Sequence, residues 1–556
     1  MDFTLTYDLK IIVVGWDYMS SRFLKGAFIL TLGSIISKVL GLFYVIPFEE
    51  MVGPTGGALY AHGYNLYSIF ISFATAGMPL AISKFVSKYN AIEEYAVGRK
   101  LFKASMFLML ITGFIAFFIL YSIAPIYANL VNDSTGNITN QDITTVIRAV
   151  SFALILIPFM SIVRGFFQGH EDMKPTAISQ VVEQIVRIVF LLAGVFVIYK
   201  IFNRELVEAI SIATFAATVG ALGGLVVLAV YWRKRRKNLQ NLMKKDLGTV
   251  QISLPKIFKE VLLSSIPFVF VGIALPVFQQ VDLMTFVRAM QQAGVNIETA
   301  EESLGVLTLF AQKIVIIPMT LATGFSMALI PSVTKAYMME NEAQLKHNLD
   351  LAFQVLLFIT VPAVVGMSLL ADPIYTVFYS YNPIGGMVLR DYAPTAVLFA
   401  LFSITAAILQ GINQQKFTVL SLLVGFLLKL ALNIPLIRIY ETSGAIYATS
   451  IGFLTAVLMN LAFIKYFTKY SYHLVFCRTI LISIFTGLMA LLVWGMESGL
   501  LLFLSPEHKW QALKIVIVCS GIGALFYVVI SLKSKLAHRL FGSKIDTLQR
   551  KLKLKD

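Results

Sequence analysis

Cysteine is nearly missing. The 556 residues hold two, Cys477 and Cys519, both inside apolar stretches, which excludes a disulfide framework and a cysteine-based metal site. Histidine is equally sparse, six residues scattered along the chain, too dispersed for a ligand cluster. Charge is the third shortage. Only 13% of the residues are Asp, Glu, Lys or Arg, where a soluble domain carries about a quarter, and a water-soluble globular protein is thereby excluded. No Walker motif, metal cluster or catalytic triad is visible, so ATP-driven transport and resident cofactors are not expected.

What fills the chain instead is apolar: 58% of it is hydrophobic. That much apolar surface is satisfied by lipid, where the backbone must close its own hydrogen bonds in helices or in a sealed barrel. The apolar runs last about twenty residues and do not alternate, so helices are expected. About fourteen windows of roughly 19 apolar residues lie between residues 24 and 532. The expected fold class is an all-α, polytopic membrane protein with about fourteen transmembrane helices. The expected organisation is an N-lobe over 1–232 (helices 1–6), a basic linker over 233–257, a C-lobe over 258–470 (helices 7–12), helices 13 and 14 over 471–532, and a basic tail over 533–556.

Orientation follows from the basic residues. An N-terminus in the cytoplasm gathers most of the 45 Lys and Arg at inner helix ends, above all in the run Arg233-Lys234-Arg235-Arg236-Lys237 and in the tail from Lys533 to Lys555. Both termini are therefore expected to be cytoplasmic. Topology and anionic lipid head groups account for the net charge of +15, and no nucleic-acid partner is needed. No cleavable signal peptide precedes the first helix. The residues before Met19 look unlike the rest, which makes Met19 a candidate start.

The chain also repeats itself. Gln168-Gly169, Lys174 and Arg187 recur as Gln410-Gly411, Lys416 and Lys429, and Gly77, Ala81 and Lys88 recur as Gly324, Ala328 and Lys335. Both sets imply a shift of six helices. Two six-helix lobes in the same orientation, with a substrate path between them, are a common transporter plan.

Ionisable groups inside a bilayer cost at least about 2.5–3.5 kcal/mol each, so each needs a partner, a cavity or a purpose. Here they are Lys38, Glu183, Arg187, Asp282, Lys313 and Lys429. Basic groups predominate, which favours an anionic substrate. Counted along their apolar windows, Lys38 and Lys313 each fall about 14 Å below the outer surface, placed to hold a phosphate or pyrophosphate between the lobes. Glu183 and Arg187, spaced i, i+4, can neutralise one another, either as a structural pair or as a cavity pair that opens for substrate. Asp282 and Lys429 are candidates for a link across helices 7 and 11, serving as a fixed cation or as a proton-coupled switch, with Asn433 one turn beyond Lys429. Pro267, Pro276, Pro318, Pro362 and the segment Gly77 to Pro79 are expected to bend their helices, as alternating access requires.

Ser37-Lys38-Val39-Leu40-Gly41 resembles the helix 1 signature of bacterial lipid II flippases. Ala311-Gln312-Lys313, followed by Pro318 and Ile330-Pro331-Ser332-Val333-Thr334-Lys335, resembles their helix 8. Gln168-Gly169-His170-Glu171-Asp172-Met173-Lys174-Pro175, through Glu183 and Arg187, resembles the stage V sporulation protein B branch of the same multidrug/oligosaccharidyl-lipid/polysaccharide exporter superfamily. The resemblance implies a plasma-membrane flippase, not an enzyme, that moves an undecaprenyl-pyrophosphate-linked glycan, lipid II first among them, from the inner to the outer leaflet. It also implies that Lys38 and Lys313 hold the pyrophosphate, that helices 13 and 14 help hold the lipid tail, and that the cell-wall synthesis machinery is a further partner. Membrane potential, H+ or Na+ remains as the energy source. The rivals are a flippase for another lipid-linked polysaccharide, a multidrug–cation antiporter of the same fold, which would want cavity carboxylates, and a membrane glycosyltransferase, which would want them on a large outer loop.

Overall fold

Backbone amides in hydrocarbon can bond only to one another, and in the computed structural model of the chain they do so as helices, with no strand among the described residues. Those residues are 22–75, 77–131, 138–248, 255, 269–327, 330–534 and 536–541. The segment before Met19, with the candidate start, lies outside them, as do Pro267 and most of the tail.

The chain divides into two compact units. The first takes residues up to Met51, His62–Asn129 and Asn140–Val269; the second takes Val52–Ala61, Leu130–Thr139 and Phe270 onward. In order, the helices are α1 (Arg22–Phe43), α2 (Val45–Thr75), α3 (Met78–Ala91), α4 (Tyr95–Val131), α5 (Asn140–Ser151), α6 (Ala153–Gly169), α7 (Lys174–Val195) and α8 (Leu206–Met243). There follow α9 (Ala274–Gln292), α10 (Ile297–Gly305), α11 (Ala311–Met327), α12 (Ile330–Met338), α13 (Glu342–Leu369), α14 (Ala371–Phe378), α15 (Pro383–Tyr392) and α16 (Thr395–Gly411). The last four are α17 (Gln415–Thr468), α18 (His473–Leu500), α19 (Lys509–Lys533) and α20 (Leu536–Phe541).

Among the described residues nine helices are long and apolar enough to cross a membrane, or up to eleven when each bent pair is taken as one span. Three features separate eleven from the expected fourteen. The bent pair of α1 and α2 counts as one span where two windows were expected. The single helix α17 contains two of the apolar windows, joined through a sharp kink at Glu441, where φ is 49°. The start of the seventh window lies outside the described residues. The segment Gly77 to Pro79 does break its helix: Gly77 takes a left-handed φ of 69° and α3 starts afresh at Met78.

The duplication is written into the backbone. Between α6 and α7 the left-handed residue is Glu171 (φ 58°), and between α16 and α17 it is Asn413 (φ 58°). In both turns the left-handed amide donates to the glutamine carbonyl three residues back, Gln168 or Gln410. A second pair of turns matches in the same way. Glu93 after α3 (φ 58°) and Glu340 after α12 (φ 54°) donate to Asn90 and Tyr337. A left-handed residue commonly ends a helix, and its recurrence at both pairs of turns accords with the expected six-helix repeat.

Within the first unit α7 packs along α8 and against α1, and α3 packs on α6. The α7–α8 contact is close because glycines face it. A β-carbon on Gly220 would lie 2.8 Å from Arg187 Cβ and 2.9 Å from the Glu183 carbonyl oxygen, and Gly224, one turn on, faces the same surface, the small-residue seam common in membrane helix pairs. Gly220→Val is accordingly expected to destabilise the protein by about 1–3 kcal/mol through overpacking, read as a lower thermal midpoint in detergent; an unchanged midpoint would contradict the seam.

Within the second unit α9 crosses α17, α11 packs on α13, and α16 packs on α17. The additional pair α18 and α19 is seated on α13: Ile482, Phe485, Met489, Ile515 and Cys519 share one buried cluster with Leu349, Phe353 and Leu356, and the Tyr527 hydroxyl donates to the Phe358 carbonyl at 3.1 Å. Two boundaries differ from expectation. Helix α8 continues to Met243, so Arg233–Lys237 is helical and Arg235 pairs with Asp172 at 2.8 Å. The helix leading to Lys313 begins at Ile297, about two turns before the apolar window does, because Glu301 and Glu302 lower the hydropathy although both are partnered: Glu301 accepts from the Ile138 amide and Glu302 from Asn382.

Candidate functional site

Each unit holds its own charged cluster, fully buried in the second and half-buried in the first. In the second, Lys429 on α17 is fully buried and its Nζ lies 2.6 Å from Asp282 Oδ1 on α9. The same ammonium donates to the Ala445 carbonyl at 3.0 Å and to Thr449 Oγ1 at 2.8 Å. Three oxygens of different kinds, a carboxylate, a peptide carbonyl and a hydroxyl, thus surround one positive charge. The kink at Glu441 makes this possible, because it folds the second arm of α17, with Ala445 and Thr449, back beside the first. Asn433, one turn below, donates to Thr285 Oγ1 at 2.8 Å, while its own Oδ1 is buried without a hydrogen-bond partner among the described residues. The structure therefore brings together the link foreseen between Asp282 and Lys429 and adds Thr449 and Ala445, which the sequence did not reveal.

Asp282 also lines a cleft of about 270 Å³, together with Gln279, Thr308, Gln312, Tyr392 and Thr449. The Gln279 amide donates to the Thr308 carbonyl, a carbonyl in the π-helical turn Val306–Phe310 that interrupts the rod ahead of α11. Single-turn π segments are frequent at functional sites. Lys313 follows Gln312 on α11 and is half-buried.

In the first unit the partners differ from the i, i+4 expectation. Glu183 on α7 pairs with Arg164 on α6 at 2.7 Å, and Arg164 also donates to Ser179 Oγ at 2.8 Å. Arg187 turns instead to Tyr64, donating to its hydroxyl at 3.3 Å and lying 4.8 Å from the ring centroid, a cation–π arrangement. The reason is geometric. The tight α6–α7 turn brings the end of α6 beside the start of α7, so Arg164 reaches Glu183 first. Arg164 ends an apolar window and reads from sequence as one more interfacial charge, which is why it escaped notice. Lys38 lies on an exposed face of α1, about one turn from Ser34, which donates to Gln180 of α7 at 3.3 Å.

A helical membrane fold whose two units carry matching turns, with ionisable groups set among the helices of each, is of the kind found in multi-pass membrane transporters. The comparisons agree. The model of the polysaccharide biosynthesis protein family matches residues 23–337, more than half of the chain, and that of the MatE family matches residues 295–434. The chain belongs to the polysaccharide biosynthesis protein family. The lipid II flippase MurJ of Bacillus subtilis (strain 168) is 45% identical over 540 residues, covering 96% of this chain and 99% of that protein. Stage V sporulation protein B of the same organism is 24% identical over 418 residues, 74% of this chain and 77% of its own. Among solved structures, the lipid II flippase MurJ in an inward closed conformation matches with a TM-score of 0.59 at 16% identity, over 92% of this chain and 99% of that one. An inward-facing multidrug resistance MATE family transporter of the MOP superfamily reaches 0.57 at 17% identity, over 78% and 99%. These last two establish the fold. The resemblance read from the helix 1, helix 8 and α6–α7 segments thus extends over nearly the whole chain.

Proposed function

We propose that the chain is a lipid II flippase, moving the undecaprenyl-pyrophosphate-linked peptidoglycan precursor from the inner to the outer leaflet of a bacterial plasma membrane by alternating access. The observation that carries this reading is the 45% identity, over almost the full length of both chains, to a lipid II flippase. Lys38 and Lys313 are the proposed cations for the pyrophosphate, with both termini in the cytoplasm as the basic runs require.

Asp282, Lys429 and Thr449 are proposed as a tethered-cation switch. The ammonium already fills an oxygen set of the kind that would take a monovalent ion, so a free cation adds nothing there, and membrane potential becomes the favoured energy source over Na+ or H+. The Glu183–Arg164 pair and the Arg187–Tyr64 contact support the α6–α7 region of the first lobe, and Arg187 and Glu183 face substrate only if these contacts open.

The test is depletion of the gene in its host with lipid II assayed by leaflet. Precursor is expected to accumulate in the inner leaflet and to clear when the wild-type chain is restored. Normal outward flux after depletion would remove the reading.

A further inference from the structure

The two longest helices of the first unit overrun the membrane. Helix α4 has 37 residues and α8 has 38, each about 55 Å at 1.5 Å per residue against a hydrocarbon core of about 30 Å. Their overhanging ends meet. The Asp246 carboxylate just after α8 accepts from the Ala96 amide in the first turn of α4 at 2.7 Å, and the Leu247 amide donates to the Glu93 carbonyl. Arg235 of α8 pairs with Asp172 in the α6–α7 turn at 2.8 Å. The basic end of α8 is thus pinned against α4 and α6 rather than trailing from the membrane.

Between these pins lies an open pocket of about 60 Å³, room for a small polar group such as a phosphate rather than for a whole ligand. Its floor is aromatic: Phe166 and Trp232, with ring centroids 5.5 Å apart. Arg99 of α4 and Arg236 of α8 also line it, and neither guanidinium has a hydrogen bond or ion pair among the described residues. No carboxylate lines the pocket among the described residues, and Asp172 and Asp246 at its pins are engaged by Arg235 and by the Ala96 amide. His170, on the wall, adds no positive charge at neutral pH. Burial lowers its imidazole below the ordinary value, outweighing the Phe166 carbonyl and Asp172, which act to raise it.

We infer that this pocket is a phosphate site separate from the transport path, with Arg99 and Arg236 taking the phosphate of an amphipathic ligand whose less polar part lies on Phe166 and Trp232. Two guanidiniums suit a phosphate because each can donate two parallel hydrogen bonds to its oxygens. Both an anionic phospholipid head group and a soluble phosphate compound offer that chemistry.

The experiment uses the purified full-length chain and reads the emission of Trp232, assigned by its loss in Trp232→Phe. One arm titrates mixed micelles of phosphatidylglycerol against phosphatidylcholine, the other titrates inorganic phosphate. Arg99→Ala/Arg236→Ala is expected to weaken binding about tenfold or more in at least one arm, and the arm that responds identifies the source. Lys237→Ala, an exposed charge on the same helix outside the pocket, is expected to change it less than twofold, and Arg99→Lys/Arg236→Lys to fall between. The inference is overturned if neither arm depends on the two arginines, or if Lys237→Ala weakens binding as much as the double variant does. Lipid II transport enters no arm of this test, so its outcome is independent of the flippase reading.

Discussion

Lys429→Ala is expected to lower the stability of the protein by about 3–5 kcal/mol, because it leaves the Asp282 carboxylate buried, at 5% exposure, without its counter-charge. Replacing both partners by apolar residues of similar bulk, Asp282→Leu with Lys429→Met, removes the stranded charge, and such replacements are commonly neutral or stabilising. The double variant is therefore expected to recover most of the lost thermal midpoint. Its transport is expected to stay absent, since the apolar pair cannot act as a tethered cation. Asp282→Asn tests the same role with less change of shape. Thermal unfolding in detergent, beside complementation of the depleted host, separates the two effects. A double variant that complements fully would reduce the cluster to a structural pair, and one as unstable as Lys429→Ala would show that the missing counter-charge is not the cause.

Lys38→Ala with Lys313→Ala is expected to reduce lipid II transport by at least tenfold while the protein still folds. A hydrogen bond to a charged group contributes about 1.5–3 kcal/mol, so losing two such contacts to a pyrophosphate removes much of its binding. Lys38 is exposed, and its truncation opens no core. Lys313 is half-buried with interactions of its own, so Lys38→Arg/Lys313→Arg is the companion variant: charge is kept, and transport is expected to persist. If arginine fails as badly as alanine, shape rather than charge governs these positions.

The helical class, the duplication and the Asp282–Lys429 link were legible in the sequence because each rests on a strong rule. Hydropathy identifies helices in lipid, equivalent turns need equivalent residues, and a buried carboxylate must find a cation. What escaped depends on folding at a distance. Ala445 and Thr449 join Lys429 only because α17 bends at Glu441, and a glutamate there reads as an ordinary polar turn. The i, i+4 rule pairs Glu183 with Arg187, but it describes an isolated helix; Arg164 arrives from α6 across a tight turn, and Tyr64 offers Arg187 another place. The start of α10 was hidden for the opposite reason, since its partnered glutamates, Glu301 and Glu302, read as solvent-facing. Helix α8 overran its expected end at residue 232 because hydropathy finds where lipid stops, whereas the helix stops at Met243.

On the proposed reading, cations set within the helices carry an anionic lipid-linked head group across a bilayer. Reconstitution into proteoliposomes containing lipid II tests it most directly, with the precursor in the far leaflet measured over time. The wild-type chain is expected to translocate lipid II well above protein-free vesicles, and Lys38→Ala/Lys313→Ala to fall to that background. Wild-type vesicles no faster than protein-free ones, or a double variant as fast as wild type, would contradict it.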